Sequence, residues 1–117
     1  MRGEDRDGSR EAPRALVAVR VQYRFDGRDP FAEESAVDLS ASGVLVRCGT
    51  PRRVGTMLEL VLVAADGARH VRGFGRVARV GQCPDGSPGI GIQFVSLDER
   101  DLDLLRELVA AASDDGS

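Results

Sequence analysis

Apolar and polar residues alternate in several segments of the chain, which is the pattern of strands with one buried face. From Val17 to Phe25 every second residue is apolar, and this predicts the first strand. Five further strands are predicted, separated by turn-forming residues: Ala32–Val37, Val44–Cys48, Met57–Ala64, Arg69–Val80 and Gly89–Phe94. Six short strands with a turn about every ten residues favour a mainly β fold, an antiparallel barrel or sandwich.

The fifth predicted strand departs from strict alternation. The apolar anchors predicted for it are Val71, Phe74, Val77 and Val80. Gly73 and Gly75 indicate a bulge or a sharp bend between those anchors. The Asp66-Gly67 pair just before the strand is a strong turn signal, so a hairpin is expected to join the fourth and fifth strands.

A helix is predicted after the last strand. Ser96 is expected to be its N-cap, with Glu99 as the partner in a capping box. An apolar stripe at helical spacing follows, formed by Leu102, Leu105, Leu108, Val109 and Ala112. The helix is expected to cover one open end of the barrel or to pack beside it.

The length of 117 residues fits one domain. Residues 1–9 are polar and are expected to form a flexible arm, residues 10–112 the domain, and residues 113–117 a disordered tail. No apolar run is long enough to span a membrane, and the charged N-terminus does not resemble a secretory signal. We therefore expect a cytoplasmic protein.

Few residues suited to catalysis or to metal binding are present. Two cysteines and one histidine are too few for a structural zinc site, and a nucleophile with a histidine base would depend entirely on His70. We expect no catalytic residues, no metal ligands and no cofactor. The composition favours a binding or interaction module over an enzyme.

The basic residues are all arginines, sixteen of them, and the net charge is −3. An acidic chain is a poor candidate for nonspecific binding to a nucleic acid duplex, which needs a basic face. A small anionic ligand needs only a few arginines, whose guanidinium groups bond bidentately to phosphate and to guanine edges. Arg72, Arg76 and Arg79 lie on the fifth predicted strand, where one of them could line a ligand site.

Two short motifs stand out from this pattern. Arg10 and Arg14 form an R-x-x-x-R pair before the first strand, and Asp38 to Gly43 reads D-x-S-x-x-G between the second and third strands. With the G-x-G-x-x-F sequence from Gly89 to Phe94, this order of motifs resembles the PilZ domain family from Arg10 to about Val109. The resemblance implies a six-stranded antiparallel β-barrel with a C-terminal α-helix.

PilZ domains are receptors for cyclic di-GMP, a bacterial second messenger, so the resemblance implies this ligand. It assigns ligand-binding roles to Arg10, Arg14, Asp38, Ser40 and Gly43. The chemistry of these residues agrees: arginine can clamp phosphates and guanine, Asp38 can accept from the guanine N1–H and N2 amino donors, and Gly43 permits a positive φ or a close backbone approach. Ligand binding is then expected to order the arginine motif and to signal through an unidentified partner protein.

Other interpretations remain open. Taken singly, the motif arginines would be solvated charges, and Asp38, Ser40 and Gly43 would be turn formers. A PilZ-like adaptor that does not bind nucleotide is the second hypothesis. A small-barrel nucleic acid binder ranks lower because the chain has no aromatic cluster on a basic face, and all its aromatic residues except Phe31 are expected in core-compatible positions.

Overall fold

The computed structural model of the chain describes residues 19–114, which form six antiparallel strands followed by a helix. The strands are β1 (Arg20–Arg24), β2 (Ala32–Leu39), β3 (Gly43–Arg47), β4 (Met57–Val63), β5 (His70–Gln82) and β6 (Pro88–Leu97). A short 3-10 helix (Glu99–Asp101) leads into α1 (Leu102–Asp114). The strands close into a barrel in the order β1–β2–β3–β6–β5–β4, with β4 paired to β1. The predicted barrel and C-terminal helix are confirmed.

The barrel interior is filled by aliphatic side chains from all six strands. Those most completely buried are Val21, Val46, Leu58, Leu60, Leu62, Val71, Val77, Ile90 and Ile92. Burial of each such side chain contributes about 1.5–3 kcal/mol to the free energy of folding. Leu105 and Leu108 of α1 are also buried in this core, so the stripe predicted on the helix packs against the barrel. Because these apolar side chains point inward, polar side chains occupy most outward positions of the strands, and a ligand site would lie on that outer surface.

The predicted hairpin between β4 and β5 is present. Gly67 has a φ of +74°, and the Asp66 carboxylate accepts hydrogen bonds from the backbone N–H groups of Ala68 and Arg69. A positive φ costs glycine little because it has no Cβ, which explains the Asp-Gly pair at this turn.

The expected inward positions of β5 are partly wrong. Phe74 is 52% exposed, because the inward positions next to it are taken by Gly73 and Gly75, opposite Leu60 and Leu58. A Cβ on Gly75 would lie 2.9 Å from a methyl carbon of Leu60, so glycine here lets the core side chains fill the space. The register against β6 does shift between Phe74 and Gly75, but the extra residue is Val95, so the bulge predicted for β5 at this point lies in β6.

The end of β5 also differs from the sequence pattern. Val80 was predicted as a core anchor but is 45% exposed. Pairing with β4 covers β5 as far as Arg76, whereas residues 79–82 pair with β6 alone. The β5–β6 hairpin therefore extends beyond the cover of β4.

The predicted helix cap is wrong. Ser96 belongs to β6, where it pairs with Phe74, and the Asp98 N–H continues the ladder by donating to the Arg72 carbonyl at 2.9 Å. The N-cap is Asp98, whose side chain accepts a hydrogen bond from the Arg100 N–H. Strand pairing thus overrides the capping signal of the serine. Between residues 19 and 114, no helix is long and apolar enough to cross a membrane.

Candidate functional site

An open groove of about 460 Å³ lies on the outer face of the barrel, over β3, β6 and β5. It is lined by Asp38, Ser40, Ser42, Gly43, Val44, Leu45, Ala78, Arg79, Gly91, Ile92 and Gln93. Its volume lies in the range typical of small-molecule sites. The structure thus brings three of the residues singled out by the sequence, Asp38, Ser40 and Gly43, to one surface.

Strand register explains why the floor of this groove is open. Gly43 of β3 pairs with Gln93 of β6, and Gly91 of β6 pairs with Leu45 of β3 and with Arg79 of β5. Residues paired directly across strands share a face of the sheet. Two glycines therefore lie on the outer face of adjacent strands, and their missing side chains leave the backbone accessible between the β2–β3 turn and β5.

A bulge in β2 directs Asp38 onto this face. Ala36 pairs with Val46 and Asp38 pairs with Leu45, so Val37 is an extra residue between them. Strict alternation after the buried Ala36 would turn Asp38 inward. The bulge reverses the alternation, leaves Asp38 exposed and turns Leu39 into the core.

The Asp38 carboxylate has no hydrogen bond or ion pair with any residue between 19 and 114. No described residue therefore competes with solvent or with a ligand for its oxygens. A carboxylate accepts two parallel hydrogen bonds from adjacent donors, and guanine presents such donors at N1 and N2. This chemistry matches the role that the sequence predicts for Asp38.

Ser40 organises the turn between β2 and β3. Its Oγ accepts hydrogen bonds from the backbone N–H groups of Ser42 and Gly43, both at 3.2 Å. The Ser40 N–H donates to the Gly43 carbonyl at 2.9 Å, and the Ser42 carbonyl accepts from the Phe94 N–H. The serine thus holds a tight turn that is also attached to β6. The Ser40 hydroxyl also donates to the Gly43 carbonyl at 3.3 Å, so a hydrogen bond to a ligand would have to replace one of these bonds.

Glycine is needed at position 43 because the backbone of β6 approaches it closely, and not because the residue has a positive φ. The described glycines with positive φ are Gly55, Gly67 and Gly86. A Cβ on Gly43 would instead overlap the carbonyl oxygen of Ile92. Of the two reasons the sequence offers for this glycine, the structure supports the second.

The other two predicted site residues, Arg10 and Arg14, lie outside the described residues. Sequence reasoning also missed Gly91 and Gln93 as lining residues, although Gly91 belongs to the G-x-G-x-x-F sequence. Arg79 was one of three arginines suggested for the groove, and it is the one that lines it. The bulge that turns Arg79 outward lies at Ala78, beyond the irregularity that the sequence predicts, so no sequence signal distinguished Arg79 from the other two.

A larger groove, of about 610 Å³, lies over the outer faces of β1, β4 and β5. Its cation Arg24 is already engaged, because it forms an ion pair with Glu59 at 2.9 Å and stacks on Phe31 at 4.3 Å from the ring centre. Arg72 and the exposed Phe74 line another part of this groove. Asp38, Ser40 and Gly43 do not line it, so size alone does not make it the better candidate.

Comparison with known proteins shows similarity to a protein family and to solved structures. The family model described as PilZ domain matches residues 8–111. The solved structure of the Bacillus subtilis inhibitor of motility (MotI/DgrA) has a similar fold, with a TM-score of 0.67 and 17% sequence identity. The similarity covers 82% of this chain and 47% of that one, so the chain spans about half the length of that protein. No curated protein sequence matches the chain.

Proposed function

Because the chain belongs to the PilZ domain family, we propose that it is a receptor that binds cyclic di-GMP in the groove over β3, β6 and β5. The observation that carries the proposal is the convergence of Asp38, Ser40 and Gly43 on that one open surface. These residues come from the D-x-S-x-x-G motif, and a bulge and a serine-closed turn give the motif a defined shape.

The ligand chemistry divides between the two motifs. Asp38 supplies an acceptor for the N1–H and N2 amino group of a guanine, which no other common base presents together. Arg10 and Arg14, which the family match includes, supply guanidinium groups for the phosphodiesters and for the guanine face. Their part in binding, and the ordering of their segment by ligand, stay predictions from the sequence.

PilZ domains are receptor and adaptor domains rather than enzymes, and we propose the same for this chain. The bound nucleotide and the arginine segment around it would form a new surface next to the β2–β3 turn. A partner protein of unidentified nature would read that surface. Such a device needs no catalytic residue in the groove and no cofactor besides the ligand.

Calorimetric titration with cyclic di-GMP, with GTP as the control nucleotide, tests the proposal. We expect saturable binding of the cyclic dinucleotide and none of GTP. The Asp38→Ala protein should keep the parent melting temperature, because the Asp38 side chain is exposed and forms no hydrogen bond or ion pair with a described residue, yet it should lose binding. Asp29→Ala is the matched control, since Asp29 is an exposed carboxylate in the β1–β2 loop away from the groove.

The opposite result would favour the second hypothesis. If titration of the parent protein with cyclic di-GMP gives no heat and no shift in melting temperature, the receptor assignment fails. An adaptor that works without nucleotide then becomes the better hypothesis. Equal binding by the Asp38→Ala protein and the parent would place the ligand elsewhere.

A further inference from the structure

A β-bulge turns Arg79 toward the groove, just as a β-bulge in β2 exposes Asp38. Val77 pairs with Ile92 and Arg79 pairs with Gly91, so Ala78 is an extra residue in β5. Strict alternation after the buried Val77 would turn Arg79 toward the barrel interior. The bulge at Ala78 directs it outward instead. Bulges at Val37 and Ala78 thus place a carboxylate and a guanidinium at the same groove.

The Arg79 side chain lies over Gly91, where there is room for it. A Cβ on Gly91 would be 3.6 Å from Cβ of Arg79 and 3.7 Å from its Nε. Any larger side chain at this position would compete with the arginine for the floor of the groove. The cross-strand pair of an arginine with a glycine therefore leaves the guanidinium close to the open backbone of β6.

The Arg79 guanidinium differs from that of its neighbour Arg76. Arg76 Nε donates to Gln93 Oε1 at 3.0 Å, so that arginine is engaged on the sheet. Within residues 19–114, Arg79 makes no side-chain hydrogen bond and no ion pair. Many other described arginines are in ion pairs, including Arg20, Arg24 and Arg47. No described residue therefore competes with a ligand for the Arg79 guanidinium.

We propose that Arg79 and Asp38 hold one guanine of cyclic di-GMP between them, which makes Arg79 a specificity-determining residue of the site. Guanine has donors at N1 and N2 that suit a carboxylate, and acceptors at O6 and N7 that suit a bidentate arginine. The two groups enter the groove from different strands, Asp38 from the end of β2 and Arg79 from β5 across the glycine floor. This inference rests on the proposed function, because it requires cyclic di-GMP to bind here.

The test is calorimetric titration of the parent, Arg79→Ala and Arg79→Lys proteins with cyclic di-GMP and with cyclic di-AMP. Adenine has an amino donor where guanine has O6, so a guanine contact should be lost selectively. We expect the Arg79→Ala protein to bind cyclic di-GMP about tenfold more weakly or worse, with a smaller preference over cyclic di-AMP. Lysine should not restore binding, because it lacks the planar pair of donors.

Arg72→Ala is the matched control, since Arg72 is an exposed arginine on the same strand that lines the other groove. It should bind like the parent. If the parent binds and the Arg79→Ala protein binds equally well, the inference is wrong while the receptor function stands. If lysine restores full affinity, charge alone is sufficient and the guanine contact is wrong. If the parent does not bind, the proposed function fails, and this inference fails with it.

Discussion

The backbone of Gly43 lies against the carbonyl of Ile92, so closely that a methyl group on Gly43 would overlap the carbonyl oxygen. Gly43 opens β3, and its outer face forms part of the groove floor. The last glycine of the D-x-S-x-x-G motif is therefore fixed by the packing of β3 against β6. Toward a ligand, we predict that this glycine acts by leaving space in the floor of the groove.

Gly43→Ala should destabilise the fold, whereas Gly91→Ala should not. The Gly43 Cβ would meet a rigid backbone carbonyl, and overpacking of this kind costs about 1–3 kcal/mol or more. A Cβ on Gly91 would make an ordinary contact of 3.6 Å with the Arg79 side chain. Urea denaturation of both variants measures the difference. Equal stabilities for the two variants would contradict the packing argument.

Ser40→Ala should loosen the β2–β3 turn. The change removes the acceptor of the Ser42 and Gly43 N–H groups, which costs about 0.5–1.5 kcal/mol, at the low end because the turn is exposed. Nucleotide affinity should fall with it, since Asp38 adjoins the turn. Ser42→Ala is the matched control, because within residues 19–114 the Ser42 side chain makes a single hydrogen bond, with the Ser40 hydroxyl at 3.2 Å. Thermal melting would compare the stabilities of the two proteins, and titration would compare their nucleotide affinities. Equal losses of stability and affinity in both would contradict the role assigned to Ser40.

The sequence predicts the strands well because their alternation is a local property. The β4–β5 turn is equally local, since Asp66 and Gly67 carry the geometry themselves. The cap at Ser96 was wrong because a hydrogen bond from Asp98 to the distant β5 extends the strand. Local signals cannot show such a competitor.

The candidate site was predictable only in part for a related reason. The D-x-S-x-x-G motif identified Asp38, Ser40 and Gly43 by resemblance, and the structure brings all three to one groove. The bulges at Val37 and Ala78 follow from pairing with strands that are distant in sequence. They decide which way Asp38 and Arg79 face, so periodicity alone could not predict that Arg79 faces the groove.

Tyr23→Phe should lower the stability moderately. Tyr23 is 6% exposed, and its hydroxyl donates to the Arg47 carbonyl at 3.2 Å, joining β1 to the end of β3. Burial raises the pKa of the Tyr23 phenol, as expected for a neutral hydroxyl in the core. Phenylalanine keeps the edge-on contact with Phe25 but leaves the carbonyl without this donor, which costs about 0.5–1.5 kcal/mol.

Chemical denaturation of the Tyr23→Phe and Tyr23→Leu proteins separates the two contributions. The leucine variant should lose more, because it also removes the aromatic contact with Phe25. Should the phenylalanine variant match the parent in stability, the hydrogen bond to Arg47 would contribute nothing.

Acid should weaken the fold through two turn carboxylates. Hydrogen bonds from the Ala68 and Arg69 N–H groups, followed by the Arg69 side chain, lower the pKa of Asp66 to about 2. Bonds from Ser87 and then from Arg47 lower the pKa of Asp85 well below its usual range. A carboxyl group whose pKa is lower in the folded state stabilises the fold above its unfolded pKa, here the ordinary value of 3.8. That contribution is lost as the pH falls from about 4 toward 2.

The melting temperature should therefore stay level from neutral pH to about pH 5 as far as these groups are concerned, and then fall as Asp66 begins to protonate. In the Asp66→Asn protein the amide oxygen can still accept from the turn N–H groups, but it does not titrate. Its melting temperature at neutral pH should be lower, because the ion pair with Arg69 is gone, and its decline between pH 4 and pH 2 should be shallower. Asp29→Asn is the control, since the Asp29 carboxylate accepts no hydrogen bond from any described residue. If the Asp66→Asn protein declined as steeply as the parent, the turn carboxylate would not be a source of the acid sensitivity.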